Sequence, residues 1–278
     1  MSSARPHTAE RDLPTPRLHV PPSPLDEFAH RLPDAPLIDR FQHLLGVCRG
    51  KRVIDLGFVD EGRMTNKRTQ RAWLHELLSR SARELVGIDS DAGGVRLARE
   101  LGFESYTADC QSGSDLTELA LEQAEVVVAG ELIEHLDRPG DFLEAVKTLV
   151  GPTGVLVLTT PNAARLTNLL GSLANRELAN PDHVAWYSWH TLKTLFERHG
   201  WVLRSIGFYP IPRLAPPRSL PRTERIELRA INAVRAAMRP LFLLRPSLAD
   251  GIVAEAVLRT YEVELLSAAA ANGTAQKG

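Results

Sequence analysis

Short β-branched runs alternate with stretches of helical period along most of the chain, and this alternation is the feature that most restricts its fold. The runs fall at 52–56, 85–89, 124–129 and 154–159, with a weaker one at 103–107. Because they are almost continuously apolar, the strands they predict are buried on both faces, as in a parallel sheet covered by helices. The sequence therefore predicts an α/β fold with a doubly wound sheet.

The pattern changes after Pro161. A helix is predicted at 188–199, followed by a strand at 201–209 and a last strand at 252–258. The segment 210–250 lies between those two strands, begins rich in proline and arginine, and then becomes amphipathic. We interpret it as a helical insertion between the last two strands.

The two ends of the chain have a different composition from its body. Residues 1–24 and 268–278 lack a hydrophobic period, so they are predicted to be disordered tails. The body, 25–267, is expected to form one domain, which suits a chain of 278 residues.

Bulk charge does not identify partners, which must be inferred from local features, and the cysteine content bears on the compartment. A net charge of -1 gives no overall attraction to nucleic acid or to an anionic membrane. The two cysteines, Cys48 and Cys110, and the lack of an apolar stretch near the N-terminus predict a cytoplasmic protein with reduced thiols. The sequence has no apolar run of about 18 residues, so no transmembrane helix is predicted. Peripheral membrane contact and a homodimer remain alternatives.

Glycine and aspartate residues follow the predicted strands where a nucleoside-like cofactor would bind. In open α/β sheets, ligands lie at the carboxyl ends of the strands. Gly57 and Gly62 follow the first strand, Asp89 ends the second and can accept from ribose hydroxyls, and Asp109 follows the third and can accept from an adenine amino group. A plain turn and a helix cap are the alternatives. The predicted cofactor site also includes the neighbouring residues Asp55, Phe58, Cys110 and Gly130.

Gly130–Leu136 is the most specific segment of the chain. If a helix begins there, Glu131, Glu134 and His135 stand at i, i+3 and i+4 and project from one face. Two carboxylates and an imidazole suit a divalent ion such as Mg²⁺ or Mn²⁺, with a fourth ligand from elsewhere. The alternative is an acidic first helical turn beside a packed histidine.

Together, these residues resemble the class I S-adenosylmethionine-dependent methyltransferases over about Arg49 to Leu258. The resemblance implies a seven-stranded Rossmann-like sheet whose last strand is antiparallel, and S-adenosylmethionine as cofactor. The family usually has G-x-G-x-G after its first strand, whereas the loop Gly57–Gly62 lacks the middle glycine. A dinucleotide dehydrogenase is disfavoured because Asp89 lies too far along the chain for that motif.

The segment Glu131–Leu136, the turn Thr160-Pro161-Asn162 and Asp182-His183 look like the metal-dependent O-methyltransferases of small-RNA ribose ends and of ubiquinone biosynthesis. In the RNA enzymes two glutamates, the adjacent histidine and a distant histidine hold the metal. Glu131, Glu134, His135 and His183 match them by position.

Other stretches resemble bacterial methyltransferases that are often encoded with polysaccharide or natural-product glycosylation functions. The stretches are Trp73-Leu74-His75, 127–131 and 180–187. The resemblance favours O-methylation of an acceptor with adjacent hydroxyls in a sugar-containing natural product, glycan or nucleotide-sugar. The alternatives are RNA ribose 2′-O-methylation, small-molecule N-methylation and a non-catalytic protein that retains the fold. RNA is the less favoured acceptor because the charge is near neutral and no separate RNA-binding module is visible.

Three histidines are candidates for catalysis: His75, His135 and His190. His135 lies in the predicted metal motif, and His75 or His190, if not engaged by the metal, could accept the hydroxyl proton.

The arginine-rich insertion has three interpretations: a cationic lid over an anionic acceptor, an interfacial helix at an anionic membrane, or a solvated helix that covers the sheet. Its arginines are Arg213, Arg218, Arg222, Arg225, Arg229, Arg235, Arg239 and Arg245.

Overall fold

The computed structural model describes residues 29–59, 64–69, 72–211 and 221–261. By its own contacts the chain divides into Met1–Arg31 and Leu32–Gly278, and the elements below lie in the second unit. The tails predicted at its two ends, and Gly62 of the first loop, lie outside the described residues.

The strands form one seven-stranded sheet in the order β3-β2-β1-β4-β5-β7-β6. They are β1 Arg52–Leu56, β2 Glu84–Asp89, β3 Ser105–Thr107, β4 Ala124–Gly130, β5 Val150–Pro161, β6 Trp201–Tyr209 and β7 Gly251–Leu258. The pairs from β3 to β5 are parallel, whereas β7 is antiparallel to both β5 and β6. This confirms the predicted Rossmann-like sheet with an antiparallel last strand.

One helix precedes β1, and the other described helices connect successive strands. They are α1 Arg40–Cys48, α2 Met64–Thr69, α3 Leu74–Ser79, α4 Ala92–Glu100, α5 Gly113–Glu118, α6 Pro139–Val146, α7 Leu166–Leu173, α8 Trp189–Arg198 and α9 Arg222–Leu244. Single 3₁₀ turns occur at Ile133–His135 and Pro246–Leu248. In the described part of the chain, none of the helices combines the length and apolarity needed to cross a bilayer.

The central strands are buried on both faces, as their continuous apolar sequences predict. Alternate residues of β1 and β4 enter different clusters: Ile54 and Val127 pack with one set of helices, and Val53 and Val126 pack with the other. Period-two alternation gives each face of the sheet its own layer. The result is a rigid platform under the carboxyl ends of β1 and β4.

The order of the sheet reverses between β1 and β4. The chain moves outward from β1 through β2 to β3 and then returns to start β4 on the other side of β1. A crevice opens at such a switch point, at the carboxyl ends of the strands. The segments that start at Gly57 and Glu131 border this crevice because they follow β1 and β4.

Candidate active site

A cleft of about 1110 Å³ lies at the switch point. Among its lining are Gly57, Asp89 and Asp109 from the β1–β3 side, and Glu131 and His183 from the other side. We call these two parts the cofactor end and the acceptor end. The volume is at the upper limit of small-molecule pockets, which run to about 1,000 Å³.

Gly57 sets the course of the loop at the cofactor end. It has a φ of +71°, which L-residues with side chains rarely adopt. A Cβ at this position would lie 2.7 Å from Leu132 Cδ1, so Leu132 fills the space where a side chain would be. The loop therefore lies against the turn that follows β4, and Gly57 and Leu132 together line the cleft at this point.

The Asp89 carboxylate is fixed by backbone amides at the end of β2. Val59 N–H donates to Oδ2 and Asp91 N–H donates to Oδ1, each at 2.9 Å. Burial raises the pKa of Asp89, against the opposing effect of these amide hydrogen bonds. Each carboxylate oxygen has a further lone pair, so Asp89 can also accept hydrogen bonds from hydroxyl groups.

Asp109 and Cys110 lie in the cleft after β3. Asp109 Oδ1 accepts the Gln111 N–H at 2.8 Å, and the Arg138 guanidinium is 3.5 Å from Oδ2. Burial, and then the charge of Asp109, raises the pKa of the Cys110 thiol to about 12, so the thiol is neutral. Phe58, Asp55 and Gly130 also line the cleft.

His75 lies beneath the cofactor end and not within the cleft. It is completely buried, and its Nδ1 is 2.9 Å from Asp55 Oδ2. Its ring stacks in a cluster with Phe58, Trp73 and Phe103. The prediction that His75 accepts a proton from an acceptor hydroxyl is therefore wrong in position, because no acceptor reaches a fully buried ring. Its place indicates that it orients Asp55.

His190 also lies outside the described lining of the cleft. It is exposed near the start of α8, and its ring centroid is 6.1 Å from that of Trp189. Of the three candidate catalytic histidines, His135 is the one that the fold places in the cleft.

The segment after β4 is not an α-helix, contrary to the assumption behind the predicted i, i+3, i+4 face. Glu131 has a φ of +55°, and a single 3₁₀ turn covers Ile133–His135. The Thr159 carbonyl and hydroxyl both accept the Glu131 N–H, and the Tyr209 hydroxyl donates to Glu131 Oε1. The carboxylate of Glu131 therefore lines the cleft but is directed to the end of β6.

Glu134, His135 and His183 converge at the acceptor end. One potential ligand atom from each lies within 4.8 Å of the others. The three residues meet because the Glu134 carbonyl accepts the N–H groups of Val184 and Ala185, at 2.9 and 3.2 Å, which holds the loop that carries His183.

The Glu134 carboxyl is 1% exposed. Its Oε2 accepts the Thr160 hydroxyl at 2.9 Å, whereas Oε1 has no hydrogen-bond partner among the described residues. Burial, and then the negative charge of Glu131, raises the pKa of Glu134 to about 8. With this pKa the buried carboxyl is mostly protonated at neutral pH, and a cation between Glu134 and the two histidines would replace that proton and stabilise the carboxylate.

His135 is oriented by the loop that carries its partner. Nδ1 lies 3.2 Å from the Asp182 carbonyl, which can only accept, so Nδ1 carries the proton and Nε2 is the basic nitrogen. Such an arrangement is the usual support of a metal-binding histidine. The His135 and His183 rings are 4.8 Å apart, edge to face. One carboxylate and two imidazoles fit a divalent ion.

Tyr209 was missed by the sequence analysis. A signal was present, since Tyr209 ends β6, which is parallel to β5 and so finishes at the same edge of the sheet. Burial is the main cause that raises its pKa well above the ordinary value, so it remains a hydroxyl donor to Glu131.

The sheet order and the cleft define the class I S-adenosylmethionine-dependent methyltransferase fold. A model of the methyltransferase domain family matches residues 28–206, and the chain belongs to that family.

Two curated relatives are called ubiquinone biosynthesis O-methyltransferase. The protein of Bordetella avium is 28% identical over 45% of this chain and 48% of its own length. That of Ruegeria pomeroyi is 28% identical over 60% and 69%. The chain thus spans about half the length of the first relative. A methyltransferase structure from Archaeoglobus fulgidus, at 19% identity and a TM-score of 0.49, covers 78% of this chain and 90% of that one.

Proposed function

We propose that this chain is an S-adenosylmethionine-dependent O-methyltransferase that holds a divalent cation at Glu134, His135 and His183. The observation that carries the proposal is the convergence of these three residues in the same cleft as Asp89 and the Gly57 loop. Methyl transfer needs an electrophile at one end of such a cleft and an oriented hydroxyl at the other.

At the cofactor end, the residues act by binding and orientation. The Asp89 carboxylate, already held by Val59 and Asp91 amides, would accept the ribose hydroxyls, and Asp109 would accept from the adenine amino group. The backbone at Gly57 allows close approach of the amino-acid part. S-adenosylmethionine itself would supply the sulfonium methyl group.

At the acceptor end, Glu134 Oε1 and His135 Nε2 are the oriented donor atoms for a cation, and His183 is the third residue of the set. A divalent cation would lower the pKa of a coordinated hydroxyl and hold it in line with the methyl group. Glu131 is the fourth predicted ligand. It lines the same cleft, and a change of its partner from Tyr209 to the cation would add it to the set.

The acceptor proposed from this site is a molecule with adjacent hydroxyls, because two neighbouring oxygens can share one cation. Both a sugar and a catechol have this chemistry. The curated relatives are named for ubiquinone biosynthesis, and the sequence resemblance favours a sugar-containing acceptor. A panel of free sugars, nucleotide-sugars and catechols distinguishes them.

The first experiment is calorimetric titration of the protein with S-adenosylhomocysteine. Saturable binding is expected, and absence of binding at millimolar concentration would favour a non-catalytic protein. The second experiment measures Mn²⁺ binding by electron paramagnetic resonance. His183→Ala is expected to weaken Mn²⁺ binding by about 10- to 100-fold, whereas His199→Ala, at a partly exposed histidine beside Glu144, is the matched control.

The acceptor panel is then tested with and without EDTA. Loss of O-methylation on chelation is expected. Methylation that persists in EDTA would refute the role of the cation, and methylation of an amine under those conditions would establish N-methylation instead.

A further inference from the structure

Helix α9 presents a face of mixed character to the acceptor end. Arg235, Ala236, Arg239, Phe242 and Leu243 line the cleft. Their spacing places them on one side of the helix, with two arginines one turn apart and two apolar residues on the following turn. The insertion is therefore part of the wall of the cleft, and its charged groups are available to whatever binds there.

The guanidinium of Arg235 is incompletely paired. Its Nη1 is buried and has no hydrogen-bond partner among the described residues. A guanidinium is always charged and has five N–H donors, so a buried nitrogen without an acceptor is unfavourable. A ligand that carries acceptor oxygens would satisfy it.

Nearby carboxylates already accept other donors. Asp250 Oδ2 accepts the Ile211 N–H at 2.9 Å, and Glu131 accepts from a tyrosine. Burial is the largest cause that lowers the pKa of Arg165; Asp250 and Glu131 act against it, and the positive charge of Arg235 adds to it. The Arg165 and Arg235 guanidinium groups thus lie within electrostatic reach of each other. An anion bound beside them would offset their mutual repulsion.

Resting on the proposed function, we propose that the acceptor carries an anionic group, a carboxylate or a phosphate, which binds Arg235 and Arg239. Planar bidentate contact with such groups is what arginine provides. Phe242 and Leu243 pack against the part of the acceptor that joins this group to the hydroxyl held at Glu134, His135 and His183. Among vicinal diols, the site selects those with a charged substituent.

The experiment compares diols that carry an anionic group with close neutral relatives. The protein, saturated with S-adenosylhomocysteine and Mg²⁺, is titrated calorimetrically with 3-(3,4-dihydroxyphenyl)propionate and its methyl ester, and with ribose 5-phosphate and ribose. We expect the anionic member of at least one pair to bind about 10- to 100-fold more tightly than the neutral member. The pair that shows the preference identifies the anion as carboxylate or phosphate.

The variants are Arg235→Gln and Arg235→Lys, with Arg229→Gln as the control because Arg229 is exposed on the same helix. Because Arg239 stays in place, Arg235→Gln is expected to remove most of the charge preference, Arg235→Lys to retain more of it, and Arg229→Gln to leave it unchanged. Circular dichroism and S-adenosylhomocysteine affinity report whether each variant is folded.

Equal affinities within both pairs overturn the proposal, as does no binding of either anionic diol at millimolar concentration. A preference that is undiminished in Arg235→Gln also overturns it. The proposed function is tested separately. If the charge preference depends on Arg235 but no diol is methylated, the anion site is supported and the assignment of methyl transfer is wrong.

Discussion

The two ends of the cleft are constructed in different ways. At the cofactor end, the loops after β1, β2 and β3 each contribute residues, all between positions 55 and 111, and short-range amide hydrogen bonds fix the carboxylates. At the acceptor end, the residues named above come from 131 to 250 and are brought together by contacts between distant segments, such as Glu134 with the 182–185 loop. The position of the cofactor end follows from the strand order of the sheet. The arrangement of the acceptor end depends on contacts made by the loops and helices attached to the sheet.

The difference leads to distinct mutational outcomes. A substitution at the cofactor end is expected to alter cofactor affinity and little else. A substitution at the acceptor end is expected to alter catalysis, acceptor choice or stability, because the same groups position one another there.

The largest effect is expected for Glu134→Gln, which keeps the shape but removes the charge of the buried ligand. Methyl transfer is expected to fall by about 10²-fold or more, measured with radiolabelled S-adenosylmethionine and the best acceptor of the panel. Glu144→Gln, at a mostly exposed glutamate on α6, is the control. Equal activity of the two variants would remove Glu134 from the site.

The next effect is expected at the cofactor end. Asp89→Asn is expected to weaken S-adenosylhomocysteine binding by about 10- to 100-fold, since a charge-assisted hydrogen bond is worth about 1.5–3 kcal/mol. Calorimetry measures it, with Asp141→Asn, an exposed residue of α6, as the control. If Mn²⁺ binding fell by a similar factor, Asp89 would not act at the cofactor end alone.

A smaller effect is expected for Tyr209→Phe. The substitution removes the donor to Glu131 and leaves a part-buried carboxylate oxygen without that partner. The free energy of unfolding is expected to fall by about 1–3 kcal/mol in urea titrations. Tyr106→Phe, whose hydroxyl contacts Glu104 near the surface, is expected to change it by less than about 0.5 kcal/mol. If the Tyr209→Phe variant had the same free energy of unfolding as the wild-type protein, the contact would contribute no net stability.

The smallest effect concerns two thiols: Cys110 at the cofactor end, and Cys48 outside the cleft at the end of α1. Burial raises the pKa of Cys48 and of Cys110 to about 12 from the usual 9.0. Folded thiols with raised pKa values stay protonated, and stability is lost as the pH rises from about 9 toward 12. At pH 8 the folded protein is expected to react with iodoacetamide far more slowly than the urea-unfolded chain, as mass spectrometry would record. Comparable rates would contradict the burial of these groups.

Much of the fold could be predicted because its signals are local. The apolar runs at Arg52–Leu56 and Trp201–Tyr209 coincide with β1 and β6, and the alternation of strands and helices implied the parallel sheet. The predicted cofactor residues that the structure describes line the cleft for the same reason, since each stands at, or within a few residues of, the carboxyl end of a strand.

The acceptor end could be predicted only in part. The spacing of Glu131, Glu134 and His135 predicted a helical face. In the structure, Glu131 has a left-handed backbone conformation, and its carboxylate accepts a hydrogen bond from Tyr209 at the end of another strand. The burial of His75 likewise depends on Phe58 and Phe103, which are distant in sequence. Periodicity carries no information about such contacts.

Leu132, which occupies the place of the missing side chain at Gly57, joins the two ends mechanically. It stands one residue after Glu131 and directly before the turn that carries Glu134 and His135. A ligand that binds against the Gly57 backbone would therefore contact the leucine that directly precedes the turn with Glu134 and His135. Such a contact favours an ordered kinetic sequence in which the sulfonium donor enters first and sets the pocket for the second substrate.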